Sequence, residues 1–288
     1  MEILTIVLSG LFSVLSGGGV IFDSLIDKNI RESLVRVEQQ AIRVDNTPSY
    51  QIIQGKLQKI RFAAQGVEIK PNLRVAVLEL ETDAIDLDRS RLNLDSVSGL
   101  RQSLEQPLQG ALRLVVTEAD LNRALQSPEI QVKLQQTLNR LIARKVGSAN
   151  ISYELINPRV ELQPSNRLGL QFKLSRPNLN SDRQVSPLDN PKSELAIVLK
   201  LKIEVLNGKT IQLTEPQGTV NGRPMSSRLL KGFASGISDR LDLSLLEANG
   251  ILARLLQLDI DGDKIQLAGF ARMETKEAEL SSSKDKSN

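Results

Sequence analysis

The stretch LAIVLKLKIEVLNG, residues 195–208, carries the clearest structural pattern of this chain. Aliphatic residues occupy the odd positions from Leu195 to Val205, while lysine and glutamate take part of the even positions. Because successive side chains of a strand point to opposite faces, this alternation predicts a strand with one buried face. The dipeptide Asn207-Gly208 favours a tight hairpin turn, so the chain is expected to return as an antiparallel partner.

The same alternation recurs along the chain and predicts further strands. These segments lie near residues 60–69, 73–80, 85–87, 112–116, 151–155, 168–174 and 256–271, the last with an Asp261-Gly262 turn. Amphipathic strands joined by short turns are typical of antiparallel sheets. The chain is therefore expected to be built mainly from antiparallel strands.

Helical spacing marks a smaller part of the sequence. Apolar residues recur at steps of three and four over Ile26–Val44, Ile130–Lys145 and Met225–Leu241. Thr117 is placed to cap a short helix over Glu118–Leu125, and proline after Ser127 suits the first position of the next helix. The prediction is an α+β fold, in which a twisted antiparallel sheet wraps a long N-terminal helix and shorter helices accompany it.

Composition excludes several classes of function. The chain has no histidine and no cysteine, so the common nucleophile–base pairs and zinc sites cannot be built. Aromatic residues make up 3% and the net charge is +3, which does not support nucleic-acid binding. Asp259, Asp261 and Asp263 resemble the start of a calcium loop, but Phe270 stands where the bidentate glutamate is needed. No metal and no cofactor are predicted.

The N-terminus is apolar and divides the chain into three expected parts. Ile3–Phe22 carries no charge and is just long enough to cross a bilayer core. Three interpretations stay open: a membrane-embedded or interfacial segment, a signal-like leader, and a helix buried in the domain. The expected organisation is a membrane-associating leader over 1–22, a single domain over 23–274 and a disordered polar tail over 275–288.

The one-sided aliphatic segments exceed what one helix can cover, which favours an apolar slot between the sheet and the helix. Such a slot suits an acyl chain. The predicted lipid contacts are Ile30, Leu34, Val37, Leu170, Phe172, Leu199, Leu201 and Ile203. The predicted head-group rim is Arg31, Arg61 and Lys202.

Several segments also resemble the LmeA-like family of bacterial, envelope-associated phospholipid-binding proteins. The most specific is Thr-Glu-Ala-Asp-Leu-Asn at 117–122, followed by Ser127-Pro128. The others are Pro48-Ser49-Tyr50 through Gly55-Lys56, Ile60-Arg61-Phe62, Gly66-Val67 and Leu73-Arg74-Val75. The resemblance covers roughly residues 25–272 and implies a tubular lipid-binding fold, with acyl chains between a sheet and a long helix, and no catalytic motif.

The expected function is non-catalytic binding, with transfer or presentation, of phospholipid or glycolipid at a membrane surface. The expected location is a bacterial envelope or internal membrane. Two alternatives from other classes stay open. One is a membrane-anchored scaffold protein with a filled core, and the other is an enzyme that acts on lipid-linked glycans with aspartate or glutamate.

Overall fold

A computed structural model of the chain describes residues 35–45, 51, 54–91, 93, 97–146, 153–175 and 194–276. The strands are β1 Gln39–Asp45, β2 Lys56–Leu57, β3 Lys59–Lys70, β4 Leu73–Thr82, β5 Ile85–Asp86, β6 Leu108–Thr117, β7 Glu154–Gln163, β8 Arg167–Ser175, β9 Leu195–Leu206, β10 Thr210–Val220, β11 Arg223–Pro224, β12 Ile251–Asp261 and β13 Lys264–Met273. The helices are α1 Val97–Ser103, α2 Glu118–Leu125, α3 Pro128–Val146 and α4 Ser227–Ser238, with short 3-10 helices at Arg89–Arg91 and Leu243–Asn249.

Two antiparallel sheets dominate the described residues. The first sheet has six strands in the order β1-β3-β4-β6-β13-β12, and the second has five in the order β11-β10-β9-β8-β7. A small pair, β2-β5, completes the strands. The α+β class and the antiparallel arrangement predicted from the sequence are therefore confirmed.

Several helix starts and hairpin turns lie where the sequence predicted them. Thr117 caps α2 by accepting a hydrogen bond from the Asp120 backbone at 3.1 Å, and Pro128 begins α3. The predicted hairpins at Asn207-Gly208 and Asp261-Gly262 join β9 to β10 and β12 to β13. Capping and turn chemistry act within a few residues, which is why they are visible in a sequence.

The long N-terminal helix is the part of the predicted fold that the structure does not support. Residues 1–34 lie outside the described residues, and the end of the predicted helix, Gln39–Asp45, is strand β1. Strand β1 pairs with β3, which places Ile42 opposite Phe62 and Val44 opposite Ile60. Helical spacing was misleading here because Ile42 and Val44 also alternate, and a partner strand supplied the backbone hydrogen bonds.

The two sheets are joined at the strand β12, an edge of the first sheet. In the turn after β7, Asn166 accepts a hydrogen bond from the Ile260 backbone at 2.7 Å and donates one to the Leu258 carbonyl at 3.3 Å. The Gly208 carbonyl in the β9–β10 turn accepts from Leu255 at 2.7 Å. A core cluster between the sheets contains Val160, Leu162 and Ile260, packed against partly buried residues of α2, β8, β9, β12 and β13.

Candidate functional site

An apolar hollow of about 250 Å³ lies on one face of the first sheet. Its floor is a row of small residues that pair across four strands, Thr82, Gly110, Ala271 and Ala253. Larger residues flank this row on both sides: Leu80, Leu112 and Leu255 on one, and Leu108, Met273 and Ile251 on the other. The hollow exists because short side chains in register leave a gap between rows of long ones.

The segment after α4 provides a wall of the apolar hollow. Leu243 lines it from the start of the 3-10 helix, and the Leu243 backbone donates to the Lys209 carbonyl at 2.9 Å. The turn that precedes this helix is held by Asp242, whose carboxylate accepts from the Ser244 backbone at 2.8 Å. That hydrogen bond keeps the pKa of Asp242 below its ordinary value.

Glu247 fixes the same wall to both sheets. Its carboxylate forms ion pairs with Lys209 at 3.1 Å and Arg254 at 3.3 Å. The hydrogen bond from Lys209, and then that from Arg254, lower the pKa of Glu247, although partial burial opposes them. The hairpin β9–β10, the 3-10 helix and β12 are therefore tied together beside the apolar hollow.

The chemistry of the apolar hollow suits an alkyl chain. Strand alternation turns Gln109, Arg254 and Phe270 to the opposite face, which leaves Thr82 as the polar side chain of the floor. The Thr82 hydroxyl accepts a hydrogen bond from the Ile60 backbone at 3.1 Å. Leu112 is 39% exposed at the border, so the apolar hollow is open to solvent. Among the described lining residues, no carboxylate faces this space.

The predicted lipid contacts on the second sheet lie together, but at a different place. Leu170, Phe172, Leu199, Leu201 and Ile203 share the inner face of β8 and β9, and none of them lines the apolar hollow. Leu199 and Leu201 are buried, and burial alternates as predicted over residues 196–201, whereas residues 202–205 are all half-buried.

Helix α4 covers the Leu199 part of this inner face. A Cβ atom added at Gly218 would lie within 3.0 Å of Leu199, Leu230 and Met225, which shows how closely the helix packs. Leu170 packs both against the cluster that contains Leu199 and against the cluster between the sheets, and Ile203 packs against the latter. Protein side chains therefore pack against much of this face, and its contact with an acyl chain stays a prediction.

The two predicted head-group residues within the described ranges are paired with carboxylates. Arg61 forms ion pairs with Asp45 and Glu81, and Lys202 pairs with Glu204 at 2.8 Å. Arg61 lines a second, more polar hollow on the opposite face of the first sheet, across the sheet from the apolar hollow. Arg31, Ile30 and Leu34 lie outside the described residues, and Val37 packs against the core of the first sheet.

Sequence reasoning missed the apolar hollow itself. Its floor residues come from β4, β6 and the distant hairpin β12–β13, and each is an ordinary small residue in its own strand. The available signal was the pair Gly110 and Gly269, since glycine inside a strand weakens it and often marks a close approach or a bend.

A family model described as LmeA-like phospholipid-binding matches residues 14–270, nearly the whole chain. The chain belongs to this family. No curated protein matches the chain significantly. The resemblance expected from the sequence is therefore confirmed, and the family description assigns phospholipid as the class of ligand.

In this LmeA-like chain, the segment Thr117–Asn122 has a structural role. Asp120 is 2% exposed and accepts two hydrogen bonds from Arg74, at 3.0 and 3.1 Å. Asn122 binds the backbone of Val160 on β7. The segment thus connects β4 of the first sheet, through α2, to the edge of the second.

Two further observations describe the LmeA-like chain. No helix in the described ranges is both long enough and apolar enough to cross a membrane. Within those same ranges, no group of three or more histidine, cysteine, aspartate or glutamate side chains is arranged to hold a metal ion.

Proposed function

We propose that this protein binds phospholipid without catalysis and holds a segment of one acyl chain in the apolar hollow. The observation that carries the proposal is the row Thr82, Gly110, Ala271 and Ala253, which opens an apolar space on a sheet of a phospholipid-binding family. Burial of each methylene group contributes about 0.8 kcal/mol, so a short segment of chain gives a useful driving force.

The size of the apolar hollow argues for partial burial of the lipid. A volume of about 250 Å³ is below the roughly 300–1,000 Å³ of pockets that enclose a whole drug-sized ligand. It exceeds the roughly 150 Å³ of an apolar cavity that takes up benzene. The head group and second chain then stay outside, which suits presentation or transfer of the lipid and accepts a phospholipid or a glycolipid equally.

The proposal is tested by filling the apolar hollow. Ala271→Leu adds a branched side chain to the floor, while Ala196→Leu makes the same change on the exposed face of β9. Wild type and both variants are purified, extracted with organic solvent and measured for bound phospholipid by mass spectrometry. We expect bound lipid to fall strongly in Ala271→Leu alone, with an unchanged or higher melting temperature because a cavity is filled.

Two results would contradict the proposal. Equal lipid content in wild type and a well-folded Ala271→Leu protein would place the acyl chain elsewhere. Wild-type protein that is free of lipid and takes none from added vesicles would favour the scaffold alternative.

A further inference from the structure

The outer side of α4 and its two flanks form a surface that combines exposed cations with exposed leucines. Its residues are Arg223, Arg228, Leu229, Lys231, Arg240 and Leu241, here called the α4 surface, and all of them are exposed. Helix α4 packs on the second sheet with Leu230, Ala234 and Ser238, so the residues of the α4 surface are turned away from the core.

The cations of the α4 surface are unpaired. None of Arg223, Arg228, Lys231 and Arg240 forms an ion pair with any described residue, and Asp239 is the acidic residue of this segment. Several cations of the first sheet are paired, since Arg61, Arg74 and Arg113 each hold a carboxylate. The unpaired charges leave a local excess of positive potential.

The direction of α4 adds to this potential. Its first turn contains Arg228 and no acidic residue. The N-terminal end of a helix is already positive because its first backbone N–H groups have no partner within the helix, so a cation there is unfavourable for the helix alone. An anion bound at this surface would offset the repulsion between Arg228 and the positive end of α4.

Apolar side chains lie among these cations. Leu229 is 45% exposed and Leu241 is 38% exposed. A Cβ atom added at Gly236, also on the outer side of the helix, would meet nothing within 4 Å, so no contact in the described fold requires a glycine there. Exposed leucines set among lysine and arginine are the pattern of helices that lie in a membrane interface.

We propose that the α4 surface docks on the surface of an anionic phospholipid bilayer. This inference rests on the proposed lipid-binding function, because Leu243, two residues beyond Leu241, lines the apolar hollow. Docking would bring that wall of the hollow to the lipid. Leu229 lies on α4 and Leu241 three residues after its end, and both are exposed, so they suit a fluid surface, which needs no matching shape.

The test compares two double variants of the full chain that lose the same charges. Arg228→Gln with Lys231→Gln changes the α4 surface, and Arg159→Gln with Lys200→Gln removes two exposed, unpaired cations from the second sheet. Flotation is measured with vesicles of phosphatidylcholine and with vesicles of equal parts phosphatidylcholine and phosphatidylglycerol. We expect the α4 double variant to bind the anionic vesicles roughly 30-fold more weakly, about fivefold for each cation near the surface.

The control double variant should bind the anionic vesicles nearly as wild type does, and wild-type binding should weaken at high salt. Equal losses in both double variants would overturn the proposal, because any two cations would then serve. So would wild-type binding that does not depend on phosphatidylglycerol.

Lipid content after organic extraction separates this proposal from the proposed function. One informative outcome is that the α4 double variant loses vesicle binding while neither it nor wild type contains lipid. That outcome would support docking and contradict the apolar hollow as a lipid site. Normal lipid content in the α4 double variant, together with vesicle binding equal to wild type, would support the apolar hollow as a lipid site and contradict docking by the α4 surface.

Discussion

The side-chain amide of Asn122 pairs with both backbone groups of Val160. Its Nδ2 donates to the Val160 carbonyl at 2.9 Å, and its Oδ1 accepts from the Val160 N–H at 2.8 Å. The amide thereby makes the hydrogen bonds that a neighbouring strand would make. A residue on helix α2 thus satisfies backbone hydrogen-bonding groups of β7, an edge strand of the second sheet.

Residues one helical turn to either side of Asn122 extend this pattern. Glu118 accepts from the Leu162 backbone at 2.9 Å, and Gln126 donates to the Pro158 carbonyl at 2.9 Å. A spacing of four residues stacks these side chains on one helical face. Together they cover the backbone of β7, whose exposed edge would otherwise invite pairing with another chain.

Asn122→Ala should destabilise the protein by about 2 kcal/mol, because two hydrogen bonds are lost and the Val160 groups stay partly buried. A fall in melting temperature of roughly 5 °C is expected for a domain of this size. The matched change Gln136→Ala, at an exposed position of α3, should have little effect. Thermal unfolding followed by circular dichroism measures both, and equal melting temperatures would contradict the role of Asn122.

Arg74→Met should also destabilise the fold, because it leaves the buried carboxylate of Asp120 without its main partner. Loss of one partner of a fully buried pair costs about 3–5 kcal/mol, and the partial exposure of Arg74 reduces this to about 2 kcal/mol. Arg123 is exposed, and its guanidinium lies 3.5 Å from the same carboxylate. Arg123→Met should therefore change the free energy of unfolding by less than about 0.5 kcal/mol, as measured in denaturant.

Leu201→Gln tests whether the inner face of β9 is closed core or a lipid contact. Leu201 is 3% exposed, so an unpaired amide there should cost about 1–3 kcal/mol. We expect stability to fall while lipid content per folded molecule stays unchanged, and Lys202→Gln should alter neither. Loss of lipid in a folded Leu201→Gln protein, with normal lipid in Ala271→Leu, would move the acyl chain to the second sheet.

Glu81 should make stability depend on pH. Hydrogen bonds from Lys59, and then from Arg61, lower the pKa of Glu81 below its ordinary value of 4.5. Because the folded pKa is lowered, the stabilisation is complete above 4.5 and is lost as pH falls through the lower, folded value. Glu81→Gln should therefore be less stable than wild type at neutral pH and equal to it in acid. Denaturant unfolding across pH checks this, with Glu154→Gln as the control.

Deletion of residues 1–19 should move the protein from the membrane fraction to the soluble fraction at high salt, where docking of the α4 surface is screened, without unfolding it. The reason is the apolar stretch Ile3–Leu15, followed by three glycines that suit a joint. Fractionation and circular dichroism measure the two effects. A truncated protein that is insoluble or melted would mean that the leader packs into the domain.

The sequence could predict features that depend on neighbouring residues. Thr117 and Pro128 mark the starts of α2 and α3, and Asn207-Gly208 marks a turn, because caps and tight turns act over a few residues. Alternation predicted which residues are buried in the first half of β9. It did not reveal what covers them, since α4 follows in the chain with no local sign of where it packs.

The prediction of a helix over Ile26–Val44 shows the limit of periodicity. In its described part, the end of that stretch became β1, because pairing with β3 satisfied its backbone and partly buried Ile42 and Val44. Long-range pairing outweighs a weak local preference.

The sequence by itself determined the α+β class, the antiparallel strands and the family, because each depends on patterns carried by consecutive residues. Only the tertiary structure decided where an apolar hollow forms. The floor of the apolar hollow is formed by register across β4, β6, β13 and β12, which brings Thr82, Gly110, Ala271 and Ala253 into one row. Small residues make a space only when larger neighbours surround them, and those neighbours are set by strand pairing over long chain separations.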